Sequence, residues 1–339
     1  MPAVERVVAR LDELYAIGST RIGFSLEEDA AHELFRRWLR EAGLDVEVDR
    51  IGNTFGRRGD AAVWTGSHLD TVPNGGRFDG ALGVVAALEA VQQVDVPLAV
   101  VAFRDEERGC AGSRACVEDG RLPRAYLELH IEQGPVLDRA GSALGIVTAI
   151  VGQARGELVF EGRADHAGTT PMDVRDDALV KAAEFVLDAQ AAAGPGTVAT
   201  VGRLQVEPGA VNVVPARVTA SIDARAATSG ELEELVAAIG FEPTYRTAPV
   251  AMSGAPLEAL REVVPGAHEL VSGAGHDAGI LAAAGVPSGM LFVRSLNGGV
   301  SHSPDELTSS EDIALAVDVL ARALVRIAEW ASPPTPSAS

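Results

Sequence analysis

Three apolar runs in this chain stop abruptly on side chains that carry protons or bind metals, and no other feature limits the fold as much. Leu98-Ala99-Val100-Val101-Ala102-Phe103 ends on Arg104-Asp105-Glu106-Glu107. Its length and its lack of polar alternation predict a strand buried on both faces, as in a parallel sheet covered by helices. The run from Ala61 to Trp64 leads into Gly-Ser-His-Leu-Asp, and Ala125 to Leu129 ends on His130. Open parallel sheets gather their chemistry at the carboxyl ends of strands. An α/β fold is therefore predicted, with His68, Asp70, Glu106, Glu107 and His130 offered at three such ends.

His68 and Asp70 are two residues apart, so on a strand both leave the same face. An imidazole that binds a metal usually donates its other N–H to a carboxylate, and Asp70 is placed to accept it. A Pro/Asn/Gly/Gly turn then returns Asp79 to the neighbourhood, with Gly80 and Gly83 opening a helical run through Val91. A carboxylate at that helix N-terminus is favoured by the helix dipole. Alone, this segment reads equally well as a polar strand-to-helix loop, and adjacent acids such as Glu106 and Glu107 are more often a solvated loop. Recurrence weighs against both readings. Of the seven histidines, five (His68, His130, His166, His276 and His302) fall in Gly-rich loops. With Asp79 and Glu107 they supply enough N and O donors for two borderline metals, and the absence of thiolates suits a catalytic site with open positions.

Helical periodicity marks Val4–Ile17 and Glu27–Ala42, and a strand is predicted over Asp45–Asp49. From Gly152 the pattern changes: strand Gly156–Ala164, helix Asp173–Ala193, strands Thr197–Glu207 and Val211–Arg225, helix Gly230–Ile239, strand Phe241–Val250. That β-α-β-β-α-β order is ferredoxin-like and complete in itself. Residues 152–251 are thus read as a domain inserted into one made of 1–151 and 252–339. His166 lies in a loop of the insert, Asn212 opens its third strand, and Arg225 falls on that strand's polar face. In an insert, such residues are commonly plain surface. Afterwards come a helix at Pro256–Val263, the Gly275-His276-Asp277 loop, helix Ile280–Ala284, strand Ser288–Val293 and helix Glu311–Trp330. Thr308 and Glu311 resemble a capping box, and the Pro/Ser tail is predicted to be disordered.

Composition removes several functions. A formal charge of -20 opposes the polyanion attraction that nucleic-acid binding needs. Lys181 is the only lysine, so a Schiff-base mechanism has one poor candidate and a GxxxxGK[ST] phosphate loop is absent. No apolar run approaches the roughly 18 residues of a membrane span, and no signal pattern opens the chain, so a cytoplasmic protein without membrane association is expected. Cys110 and Cys116 fit no metal or CxxC spacing and are expected to be reduced structural thiols.

Seven blocks occur in order: Gly-Ser-His-Leu-Asp-Thr-Val, Gly-Gly-Arg-Phe-Asp-Gly, Asp-Glu-Glu, His-Ile-Glu-Gln-Gly-Pro, His-Ala-Gly-Thr-Thr-Pro-Met, Ser-Gly-Ala-Gly-His-Asp-Ala and Ser-His-Ser-Pro-Asp-Glu. Together they resemble the N-carbamoyl-L-amino-acid hydrolase and allantoate amidohydrolase family, the hydantoinase/carbamoylase branch of the dinuclear zinc exopeptidase and aminoacylase superfamily. The resemblance runs from about Gly66 to Asp312. It implies a zinc-exopeptidase-like α/β/α catalytic domain with an inserted ferredoxin-like lid that also forms a homodimer. It further implies two divalent ions, zinc first, although manganese, cobalt or nickel suit the same donors. Asp79 would bridge them, His68 and His130 completing one site and Glu107 and His302 the other. Glu106 would be the general base for a metal-bridging hydroxide, Asp70 would orient His68, and His166 would stabilise the oxyanion. Asn212 and Arg225 would hold a substrate carboxylate, with Gln133, the Gly275 backbone and His276 nearby. The implied substrate is a small N-carbamoyl or ureido carboxylate, because peptidase branches usually place a carboxylate where this chain has His130. An aminoacylase or dipeptidase is the alternative. Two segments depart from the family pattern: Ser113 to Tyr126 is short, and the return after Val250 is compact. Both border the expected pocket.

Overall fold

The computed structural model describes residues 2–331. Its chain divides into two units, one of residues 1–148 and 251–339 and one of residues 149–250.

In the first unit the apolar runs are the sheet's centre. Val63–His68, Leu98–Phe103, Ala125–Ile131 and Ser288–Val293 are buried at every position. They run parallel, in the spatial order Leu98–Phe103, Val63–His68, Ala125–Ile131, Ser288–Val293. One face, carrying Val63, Leu98, Val100, Ala102, Leu127, Leu129 and Leu291, joins a continuous aliphatic core with the helices Ala3–Ile17, Ala81–Gln93, Ala255–Val263 and Ser310–Ala331. Each fully buried Leu or Val in it contributes about 1.5–3 kcal/mol relative to exposure. Gly83 seats the Ala81–Gln93 helix: a Cβ there would lie 2.3 Å from the Leu129 carbonyl oxygen. By strand alternation the opposite face carries His68, Glu128 and His130 beside the edge-on ring pairs Phe55–Trp64 and Phe103–Tyr126.

Antiparallel strands flank that centre on both sides. Thr54–Arg58 pairs antiparallel with both Asp45–Val48 and Leu98–Phe103, and Leu144–Ile150 pairs antiparallel with Ser288–Val293, giving a mixed sheet of nine strands. Thr54–Arg58 carries no strand signal of its own, because Thr-Phe-Gly-Arg-Arg has one apolar side chain in five and no period. The helix Ala111–Glu118 escaped for a similar reason: it is two turns long and starts from Cys110 at φ 57. Over Ser310–Ala331 the expected cap at Thr308 is corrected to Ser309, whose hydroxyl accepts the Asp312 N–H at 3.0 Å; Thr308 instead donates to the Arg294 carbonyl. Residues 332–339, where disorder was expected, lie outside the described residues. Cys110 and Cys116 are free and buried. Among the described residues no helix is long and apolar enough to cross a membrane.

The second unit is an antiparallel five-stranded sheet in the order Tyr245–Thr247, Gly152–Glu161, Arg217–Ala226, Thr197–Thr200, with Leu204–Glu207 also on Arg217–Ala226. Two helices, Ala178–Ala192 and Ser229–Ile239, pack Phe185, Leu232, Leu235 and Val236 against Ala220, Ile222 and Ala224. Five expectations change here. The strand expected over 156–164 runs Gly152–Glu161, and the one expected from Val211 begins at Arg217, which leaves Asn212 in the loop before it. The predicted strand at 197–207 is two strands parted at Gly202. The helix expected from Asp173 begins at Ala178, because the Asp177 carboxylate accepts the Leu179 N–H at 2.9 Å and caps it. The last strand shrinks to Tyr245–Thr247 because Pro243 and Pro249 remove ladder donors on either side.

Candidate metal centre

Two imidazoles stand at the ends of adjacent parallel strands, and their hydrogen bonds fix which nitrogen is free. His68 Nδ1 faces only acceptors, the Asp70 carboxylate at 3.3 Å and the Asp70 carbonyl at 3.2 Å, so it must donate. His130 Nδ1 likewise donates to the Ile131 carbonyl at 2.9 Å. In the neutral form of each ring Nε2 then keeps its lone pair, and both Nε2 atoms point at one carboxylate oxygen: Asp79 Oδ1 lies 3.9 Å from His68 and 3.2 Å from His130. Asp79 reaches this place just ahead of the helix Ala81–Gln93, through Gly80 at φ 62. A Cβ on Gly80 would fall 2.4 Å from the His68 ring.

The other oxygen of Asp79 serves a second group. His302 Nε2 is 3.3 Å from Asp79 Oδ2 and 3.4 Å from Glu107 Oε2. His68, Asp79 and His130 each present a donor atom within 4.8 Å of the others, and so do Asp79, Glu107 and His302. Asp70 is the hub behind them. Its two oxygens accept the Glu106 and Glu107 backbone N–H groups, each at 3.1 Å, so the residue that orients His68 also fixes the acidic loop. Glu106 ends 3.7 Å from His68 Nε2.

Electrostatically this cluster lacks positive charge. Burial, and then Asp79 beside it, push the Glu107 carboxyl up to about 7. Burial, with Asp277, Glu107 and Asp70 around it, raises Glu106 well above the carboxylate range although His68 opposes the shift. Burial works against protonating His68, yet Glu106, Asp70 and Asp79 together lift its pKa. Asp79 is held well below its usual range in spite of burial, by the His130, His302 and His68 rings around it. Lone pairs aimed at carboxylate oxygens are repulsive unless a proton or cation lies between them. His130 Nε2 and Glu107 Oε1 are, in addition, buried without a hydrogen-bond partner. The donor set, all imidazole and carboxylate, fits divalent cations.

Gln133, at φ 56, donates its side-chain amide to Asp79 Oδ2 at 3.1 Å and to the Ser301 hydroxyl at 3.2 Å; its own oxygen is buried and unpartnered. His276 stands just before the helix Asp277–Ala283, bonds Ser272 through Nε2 at 2.8 Å and packs edge-on against His130, ring centres 4.5 Å apart. Burial and His130 hold it neutral, with its pKa well below the usual value. A side chain at Gly275 would meet open space. Glu128 was not anticipated. It accepts from Ser67 at 2.7 Å and from the Ala278 N–H at 2.9 Å, tying the strand that ends in His68 to the helix behind His276. Its signal was legible: a lone acid two residues before His130 on an otherwise apolar strand shares the ligand's face.

The remaining expected residues belong to the second unit. There the Ala167 N–H donates to the Asn212 carbonyl at 3.0 Å and His166 pairs with Val213, so His166 and Asn212 share one end of the sheet. Arg225 sits near the far end of Arg217–Ala226, where its guanidinium grips Asp223 at 2.9 and 3.0 Å.

Residues 64–326 match the model of the family described as Peptidase family M20/M25/M40. The N-carbamoyl-L-amino acid amidohydrolase of Geobacillus stearothermophilus is 37% identical over 405 residues, covering 96% of this chain and 98% of that protein. The allantoate amidohydrolase of Bacillus subtilis is 33% identical over 385 residues, covering 92% and 93%. Among solved structures, an amidase of the hydantoinase/carbamoylase family from Burkholderia multivorans superposes with a TM-score of 0.87 at 32% identity, covering 95% of this chain and 97% of that one. The first alignment, 405 residues long, exceeds the 339 residues of this chain, so that relative carries segments absent here.

Proposed function

This chain belongs to the peptidase family M20/M25/M40, and on that footing we propose that it is a two-metal amidohydrolase cleaving the carbamoyl or ureido C–N bond of a small carboxylate. The observation that carries the proposal is Asp79, one oxygen facing His68 and His130 and the other facing His302 beside Glu107. His68 and His130 would hold one ion, Glu107 and His302 the other, and Asp79 both. Zinc heads the choice, and manganese, cobalt and nickel suit the same donors. When bound, such ions polarise a carbonyl and acidify a water. That polarisation is needed, because two nitrogens donate into a ureido carbonyl.

Glu106 is not among the residues that would hold an ion, yet it lies beside them. Its raised affinity for protons suits a base that accepts one from water and passes it to the departing nitrogen. Water's oxygen bonds to the carbonyl carbon, one C–N bond breaks as its nitrogen takes the proton and leaves as the amine product, and the carbamic acid left behind breaks its second C–N bond to give ammonia and carbon dioxide. Asp70 keeps His68 in the donating tautomer and holds the Glu106 backbone. His166 would donate to the developing oxyanion. Arg225, preset by Asp223, would clamp the substrate carboxylate with Asn212.

We read the second unit as a ferredoxin-like lid spanning 152–251, and its own geometry favours a homodimer. From Arg217 to Arg225 is eight residues of strand, roughly 26 Å at about 3.3 Å each. His166 and Asn212 lie beyond the Arg217 end. One lid therefore cannot bring Arg225 and the His166–Asn212 pair to the same small molecule, whereas two lids related by a two-fold axis can. The test is ammonia release by the zinc- or manganese-loaded protein from N-carbamoyl amino acids and allantoate, set against amine release from N-acyl amino acids and dipeptides. Turnover of the acyl substrates alone would give the aminoacylase or dipeptidase reading instead.

A further inference from the structure

Glu306 is buried, 5% exposed, and its carboxylate is saturated by four donors from two separate loops. Oε2 accepts the Phe78 N–H at 3.0 Å and the Asp79 N–H at 3.2 Å. Oε1 accepts the Ser301 hydroxyl at 3.1 Å and the His302 N–H at 3.1 Å. A carboxylate has about four acceptor sites, and here each is used on, or next to, the backbone of an expected metal ligand. Gly76 makes room for it: a Cβ there would lie 1.9 Å from Oε2. His302 has φ 57, a conformation that a non-glycine side chain adopts only when its surroundings impose it.

We infer that Glu306 is the positioning residue that sets the spacing of the two metal sites, by bolting the His302 loop to the Asp79 loop. The inference rests on the two-ion reading above. It assigns Glu306 no contact with substrate or metal.

The chemistry makes the consequence directional. In Glu306→Gln one oxygen becomes an NH2 group. Facing Phe78 and Asp79, that group would meet two fixed N–H donors. Facing Ser301 and His302 it meets only one, because the Ser301 hydroxyl can turn and accept. The amide therefore settles toward His302, and the ion held by His302 and Glu107 is the one to suffer.

The experiment is titration of the metal-free full-length protein with zinc alone against a competing chelator, with bound ions counted by native mass spectrometry. Wild type should take two ions. Glu306→Gln should keep the first and bind the second at least tenfold more weakly, with the metal-free melting temperature lowered by only about 2–4 °C. In a His302→Ala background, which already lacks that ion, adding Glu306→Gln should change nothing further. Should Glu306→Gln not fold, Gly76→Ala displaces the intact carboxylate and is expected to weaken zinc binding at least tenfold. Unchanged binding of both ions, or equal weakening of both with the fold intact, overturns the assignment of Glu306 while leaving the two-ion reading in place. A wild-type protein that takes fewer than two ions overturns both.

Discussion

Glu106 and Arg225 separate chemistry from recognition at the level of single side chains. Glu106→Gln keeps the volume and removes the basicity, so it is expected to retain both ions and lose about 10²–10⁴ in kcat, read by ammonia release and metal analysis together. An unchanged rate would remove Glu106 from the mechanism. Arg225→Ala is expected to raise KM for a carboxylate substrate about tenfold or more, since a hydrogen bond to a charged group contributes about 1.5–3 kcal/mol. An equal loss on a substrate lacking the carboxylate would contradict the clamp. The side chains that the structure gathers around Asp79 were legible in the chain because they are His, Asp and Glu in Gly-rich loops or just after apolar strands. Glu306 was not singled out, because its work is to hold backbone from a distance in sequence: it reaches Phe78 across 228 positions. No local spacing encodes such a contact.

Helices and strands place those residues, and two of them offer sharp tests. The Ala81–Gln93 helix approaches the sheet at Gly83, so Gly83→Ala forces a methyl toward the Leu129 carbonyl and is expected to cost about 1–3 kcal/mol in urea unfolding. The Leu26–Glu41 helix buries His32 completely against Thr54, its Nδ1 3.0 Å from the hydroxyl, and burial followed by Arg104 holds its pKa down to about 3. Above the unfolded value near 6.5 the ring is neutral in both states and contributes no pH dependence. Below it the unfolded chain takes up a proton that the native state refuses, so stability falls by about 1.4 kcal/mol per pH unit until about pH 3. Unfolding of wild type and His32→Gln at pH 7 and pH 5 should show that slope reduced in the variant; parallel slopes would mean that His32 takes up its proton in the folded state as readily as in the unfolded one. Elements with a strong period, such as Ala3–Ile17 and Leu98–Phe103, were readable from sequence to within a residue or so. Thr54–Arg58 was not, since its strand state comes from two neighbours and not from its own composition.

At the scale of the molecule, the chain carries its metal donors in one unit and its expected carboxylate clamp in another, and the length of the Arg217–Ala226 strand makes the dimer part of the proposed chemistry. Val180 and Leu187 are half or more exposed and two turns apart on the second unit's helix Ala178–Ala192, a face suited to the proposed second copy. Changing both to Asp is expected to yield a monomer by light scattering that still binds two ions but turns over poorly; full activity as a monomer would show that one chain suffices. Everything nevertheless returns to Asp79 shared between two cations. Anomalous diffraction at the zinc edge from crystals of the zinc-loaded protein tests this most directly. The account predicts two peaks about 3.5–4 Å apart, one against His68 and His130, the other against Glu107 and His302, with Asp79 between them. A single peak, or peaks elsewhere on the chain, would contradict it.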